Sequence, residues 1–225
     1  MEYTVVRSGR KTLCIQIGPR GEVIVRAPRR CAGAYIDAFV ESKKNWIEVH
    51  RAKRLEALKT QEEFCLRTGD TLPFCGRELA VKIAPGCRVY LSQTTVYLPR
   101  GEVQSIQAPL LSAYKKAALP YLEKRLAHWA KVMGITYRQL KLSTAASRWG
   151  SCSRDGVIRI SAYLLFAPEQ AIDYVLIHEL SHRKVFDHSP AFWAVVETYM
   201  PDWKHWRRVL RDLAQTLYAK GFHKY

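Results

Sequence analysis

The stretch His178-Glu179-Leu180-Ser181-His182, followed by His188, decides how this chain is read. His178 and His182 are four residues apart. On an α-helix that spacing stacks two imidazoles on one face. Two stacked imidazoles with a carboxylate beside the first form the arrangement that holds Zn²⁺ and places a general base next to its water. With the 7 histidines of this chain, the five-residue pattern would arise by chance in roughly one such chain in a hundred. Its surroundings add weight. Residues 168–186 read as a helix, with Pro168 at the first position and Glu169 in the first turn. Ile172, Val175, Leu176, Leu180 and Val185 give it an apolar surround. A solvated helix carrying two idle histidines fits that surround poorly; metal-assisted hydrolysis fits it well.

Catalytic zinc takes three protein ligands and leaves one position open. His188 lies six residues past His182, in Asp187-His188-Ser189-Pro190, which reads as a break between helices: Ser189 suits an N-cap and Pro190 the first helical position. A turn there could return His188 to the metal. The three-histidine spacing equals that of the metzincins, but Val185 stands where that pattern has its turn glycine. Glu197, on the following helix, is the alternative third ligand, as in His₂Glu sites. His188 is preferred because a histidine just before a helix start makes a poor core residue.

The runs Arg148-Trp149-Gly150-Ser151-Cys152-Ser153, Ile172-Asp173-Tyr174-Val175, His178-Glu179-Leu180-Ser181-His182 and His188-Ser189-Pro190-Ala191-Phe192-Trp193 resemble those of the YgjP-like metallopeptidases, a family similar to SprT-like and WLM-type zinc proteases. In these families a His-(Gly/Ser)-x-x-Phe segment supplies the third zinc ligand, which the resemblance carries to His188. It implies a zincin-like C-terminal region and an activity on peptide bonds. Ser161 stands where the family pattern often has Asn. Arg148, Trp149 and Ser151 are the candidates for the substrate side.

Composition sets the outer bounds. At 225 residues, 48% of them hydrophobic, the chain can bury a sizeable core. No apolar run approaches the ~18 residues of a membrane span, and residues 1–7 lack a signal-peptide pattern, so a cytoplasmic protein with no membrane partner is expected. The 6 cysteines include no Cys-x-x-Cys pair, which reads as reduced thiols. Cys152, near the presumed site, reads as a packed, inert thiol. A net charge of +16 points toward polyanions such as nucleotides or DNA. It is spread along the chain, in Arg29-Arg30, Lys43-Lys44, Lys115-Lys116 and Arg207-Arg208 among others, so a generally basic surface explains it equally well.

The expected fold class is α+β. Residues 1–105 read as a β-rich region with one long helix, and residues 106–225 as a zincin-like domain whose zinc helix packs beside a small antiparallel sheet. Within the first region, residues 3–7, 11–17 and 23–27 read as a meander, residues 34–59 as one helix, and residues 71–74, 78–83, 89–91 and 95–98 as strands. Residues 108–133 read as a helix that Pro120 kinks or divides, with Leu119, Leu122, Leu126, Trp129 and Val132 as its core stripe. Residues 140–144 and 157–161 read as a hairpin beside the zinc helix, able to hold an extended peptide by strand addition. Helices at 190–199 and from Asp202 or Trp203 to Ala219 follow, with Trp193, Trp203 and Trp206 expected to pack on the zinc helix. His205 and His223 lack a supporting motif.

The expected chemistry has Zn²⁺ on His178, His182 and His188. Glu179 takes a proton from the metal-bound water and passes it to the leaving group, and Asp173 is a candidate partner behind a ligand. The substrate is a peptide or protein. Two alternatives remain open: a nucleoside triphosphate diphosphohydrolase using the same metal and base, and a DNA-associated SprT-like protease.

Overall fold

The computed structural model describes residues 1–18, 20–63 and 65–222; His223 and the Pro19 turn position lie outside them. By internal contacts the chain forms two compact units, Met1–Phe64 and Cys65–Tyr225. The boundary expected near residue 105 falls inside the second unit.

The first unit holds strands β1 (Thr4–Ser8), β2 (Cys14–Ile17) and β3 (Val23–Pro28) and helices α1 (Gly33–Ser42) and α2 (Lys44–Glu63). The strands do not form a meander: β1 runs parallel to β3, which takes the centre of the sheet, and β2 pairs antiparallel on its other side. Val23, Val25 and Ala27 alternate into the core, as the two-residue period of a strand requires, and meet Ile36, Val40 and Ile47 there. The single expected helix is two. Ser42 turns its hydroxyl back onto the Phe39 carbonyl, and Lys43, at φ −109° and ψ 9°, is not helical.

The second unit begins with β4 (Thr71–Phe74), β5 (Arg77–Ile83), β6 (Tyr90–Leu91) and β7 (Thr95–Leu98), in the order β4-β5-β7-β6. Cys75 and Gly76 connect β4 to β5 with φ of 50° and 80°, the pair of positive φ values that a two-residue hairpin turn needs. The turn seats against the segment leading into the histidine helix: Cys75 N–H donates to Leu165 O at 2.7 Å and Gly76 N–H to Ala167 O at 3.1 Å. A Cβ on Gly76 would lie 2.9 Å from the Glu169 backbone nitrogen, so glycine is required there. These bonds attach the second sheet to the segment that leads into the histidine helix.

Helix α3 (Val103–Met133) starts earlier than the sequence suggested and continues through both Pro109 and Pro120. Both prolines lie on the exposed side, where the carbonyls they leave unbonded can meet water. Its buried stripe includes Tyr114, Ala118, Leu122, Leu126 and Ala130; Leu119 and Val132 are exposed.

Strands β8 (Gln139–Ser143), β9 (Gly150–Cys152) and β10 (Val157–Ser161) form the sheet beside the histidine helix. The expected hairpin is corrected. β8 and β10 are parallel, and the intervening loop itself supplies β9, which pairs antiparallel with β10. The sheet is therefore mixed rather than antiparallel, with β9 on its edge. A 3₁₀ turn (Ala162–Phe166) leads to α4 (Glu169–Ser181), α5 (Pro190–Tyr199) and α6 (Trp203–Ala219). α4 stops at Ser181, short of the expected residue 186. The described residues thus form an α+β protein with small mixed sheets, and no helix among them is long and apolar enough to cross a membrane.

Candidate metal and active site

Helix α4 is buried along most of its length, because α3, α5, α6 and β9 all pack on it. Its buried acid Asp173 does not reach a histidine. The Arg125 guanidinium of α3 grips it with two hydrogen bonds, Nε to Oδ1 and Nη2 to Oδ2, both 2.5 Å, and also reaches Glu169 at 2.9 Å. The role expected for Asp173 behind a ligand is therefore replaced by a structural one: it locks α4 to α3.

The chain leaves α4 without a glycine. Arg183 N–H donates to Leu180 O, and Lys184 and Val185 N–H to Ser181 O. These short-range bonds close the turn with ordinary backbone angles. Arg183 Nη1 donates to Arg154 O at 2.7 Å, which ties this turn to the β9–β10 turn. Asp187 Oδ1 then accepts from Ser189 N–H at 3.2 Å, and Pro190 opens α5. The result carries His188 back over the end of α4.

The three histidines converge. One nitrogen from each of His178, His182 and His188 lies within 4.8 Å of the others. The Nε2 atoms of His178 and His188 are 3.1 Å apart, close to the separation of two ligands on one tetrahedral ion at ~2.0–2.1 Å each. His182 Nδ1 lies 3.2 Å from the Val185 carbonyl. That contact suits an Nδ1–H donor and leaves the Nε2 lone pair for a ligand. Phe192, fully buried, lies under all three rings at centroid distances of 4.9, 4.5 and 4.9 Å. Burial, with the His182 and His188 rings beside it, pushes His178 down to about 3, so it is a neutral imidazole, the form that coordinates metal. His178 Nδ1 is buried without a partner. Three converging imidazoles fit a borderline divalent cation such as zinc. Glu197, on α5, is exposed and lies outside this group.

Glu179 is only 4% exposed, and its Oε2 is buried without a hydrogen-bond partner. Burial pushes its carboxyl up to about 8, with the Arg148 charge pulling the other way. Space for it comes from Gly150, where a Cβ would lie 2.6 Å from Glu179 Oε1. The sequence carried Gly150 only as part of a quoted run; its contact with a carboxylate distant in sequence is visible only in the fold. The loop before β9 is pinned by Ser161, whose N–H donates to Trp149 O at 2.8 Å and whose hydroxyl donates to Ala145 O at 2.7 Å.

A cleft of about 790 Å³ opens beside these groups. Tyr174, Val175, His178 and Glu179 form its floor, Arg148, Trp149 and Gly150 one wall, and residues of α6 the other. Arg148 and Trp149, the candidates for the substrate side, therefore line the cleft. Ser151 does not line it, because successive residues of a strand face opposite ways and Gly150 faces Glu179. Cys152 shares the Gly150 face; burial and the Glu179 charge raise its thiol pKa, so it stays a protonated, unreactive thiol. Trp193 stacks on Trp203 at 4.1 Å and leans on His188 at 5.8 Å. Trp206 instead donates back to Asp202 of its own segment.

The chain belongs to the YgjP-like metallopeptidase domain family, whose model matches residues 11–213. That membership makes it a metal-dependent peptidase by class. Two solved structures resemble part of it. One is the metallopeptidase zymogen of Pyrococcus abyssi abylysin, with 25% identity and a TM-score of 0.38 over 43% of this chain and 94% of that one. The other is the metallopeptidase zymogen of Methanocaldococcus jannaschii jannalysin, with 17% identity and a TM-score of 0.37 over 43% and 96%. No curated protein matches.

Proposed function

We propose that this protein is a zinc peptidase of zincin-like design, with His178, His182 and His188 as metal ligands and Glu179 as general base. The observation that carries the reading is the convergence of three imidazoles within 4.8 Å at the cleft that also buries Glu179. A bound Zn²⁺ would polarise the scissile carbonyl and bring the pKa of its water to about 7. The protein's own groups do the rest. Glu179 Oε2, which has no internal partner, accepts the proton of the attacking water and returns it to the leaving amine nitrogen. Arg148 favours the ionised carboxylate that this step needs. The Gly150 backbone lets the carboxylate sit close to β9, the edge of its sheet. An extended peptide pairing along that edge crosses the site, with its main chain held by strand addition. The 6 cysteines are free thiols, which suits a reducing compartment such as the cytoplasm.

The test is Glu179→Gln assayed on fluorescent casein. The variant should bind as much zinc as wild type and lose activity by about 10²–10⁴-fold. Full activity in the variant would refute the role of Glu179.

A further inference from the structure

The cleft has a wall that the hydrolytic chemistry does not use. Lys204, Arg207, Arg208 and Arg211 of α6 line it, with Arg148 on the opposite side, and Glu179 is the only carboxylate among its lining residues. These cations work against the helix that carries them. Their spacing creates like-charge neighbours at i,i+3 and i,i+4, each destabilising. Lys204 lies in the first turn, where the helix dipole disfavours positive charge, and no acidic residue accompanies it there. Among the described residues none of Arg148, Lys204, Arg207 and Arg208 forms an ion pair. Arg211 meets Asp212 at 3.5 Å, with both side chains about two-thirds exposed at 65% and 66%, a contact of little strength. Aromatic rings position two of the cations: Arg207 lies over Trp193 at 5.7 Å and Lys204 over Trp203 at 5.5 Å. Arg207 is also close enough to act electrostatically on His178 and Tyr174, on the cleft floor.

We propose that this wall selects acidic peptides, with Lys204, Arg208 and Arg211 pairing with Asp or Glu side chains of a chain lying in the cleft. The spacing fits. One turn of α6 rises about 5.4 Å, and side chains on one side of an extended peptide recur about every 6.6–6.8 Å. Successive cations can therefore meet acids at alternate substrate positions. The proposal rests on reading the site as a peptidase, and it names the substrate class.

The test uses two fluorescent peptides, one with Asp and Glu at alternate positions and one with Asn and Gln in their place. Binding is read by anisotropy to the full-length, zinc-loaded Glu179→Gln protein, and turnover by the wild type. The acidic peptide should bind about tenfold more tightly at low salt, from several exposed ion pairs acting together, and the margin should shrink as salt rises. Adding Lys204→Gln, Arg208→Gln and Arg211→Gln should bring the ratio to about one, with unchanged zinc content showing that the protein still folds. In the wild type the preference should appear mainly in KM. Equal binding of the two peptides, or a ratio that survives the triple change, overturns the proposal. Cleavage of both peptides without preference overturns it and leaves the peptidase reading standing. Selective binding with no cleavage of either peptide supports the acidic selectivity and refutes the peptidase reading. Binding of a nucleoside triphosphate with release of diphosphate, and no binding of the acidic peptide, would assign the wall to a phosphoanion and overturn the proposal.

Discussion

Helices α4 and α6 face each other across one cleft and differ in how they treat polar groups. α4 buries Asp173, Glu179 and Ser181 along with its apolar residues, while α6 buries only Trp203, Leu210 and Leu217. A buried polar group is costly unless matched. Asp173 is matched by Arg125, and Ser181 by the Ile177 carbonyl at 2.8 Å; Glu179 Oε2 and His178 Nδ1 are not. On α6 Trp203 Nε1 is also buried without a partner, but the unmatched charges there are exposed cations that repel one another. The lesson is that an unmatched group points to function by different routes in the two settings. Inside, desolvation makes it expensive; outside, only accumulated like charge does. The buried set on α4 suits chemistry, and the exposed set on α6 suits selection.

The largest test of this contrast removes the match on α4. Arg125→Met leaves Asp173 buried without its cation and should cost about 2–3 kcal/mol, less than a fully buried pair because Arg125 keeps 26% of its side chain exposed. Thermal unfolding would show it, and an unchanged Tm would mean that the pair does not lock the helices.

The second test reads Glu179 by pH in metal-free protein. Its folded pKa, about 8, lies above its ordinary 4.5. The folded state therefore holds a proton that the unfolded state has lost, and stability falls as pH rises through this window. His178, lowered from 6.5 to about 3, acts oppositely, losing stability as pH falls below 6.5. Between pH 6.5 and 8 Glu179 acts alone, so the metal-free wild type should lose about 2 kcal/mol there. Glu179→Gln should be flat over the same range in denaturant titrations, and equal slopes would contradict the buried carboxyl.

Gly150→Ala should lower kcat about tenfold, or about 1.4 kcal/mol, since its Cβ would displace the carboxylate; unchanged kcat would show that Glu179 tolerates the shift. The smallest effect is on α6. Arg208→Gln relieves like-charge neighbours and should raise stability by a few tenths of a kcal/mol, whereas a clear loss in urea titration would show that Arg208 supports the fold.

Much of the site was legible because it is local in sequence. His178, Glu179 and His182 lie within one helical turn, and the Ser189-Pro190 start of α5 marks the turn that returns His188. What was hidden depends on contacts between distant segments. Each of the three sheets contains a parallel pair, β1 with β3, β5 with β7 and β8 with β10, where alternating strand patterns suggested meanders and hairpins. Strand patterning gives the face of each residue but not its partner. Asp173 read as a candidate partner behind a ligand because its actual partner, Arg125, is 48 residues away. The α6 cations looked like part of a diffuse basic surface until the fold set them against Glu179. Pro120 misled because its carbonyl loss falls on the solvent side of α3.

The most direct test is metal content by mass spectrometry on purified wild type, His188→Ala and Glu197→Ala. The account expects about one zinc per chain in the wild type and in Glu197→Ala, and its loss in His188→Ala. A wild type that holds no metal after reconstitution, or zinc kept by His188→Ala and lost from Glu197→Ala, would contradict it.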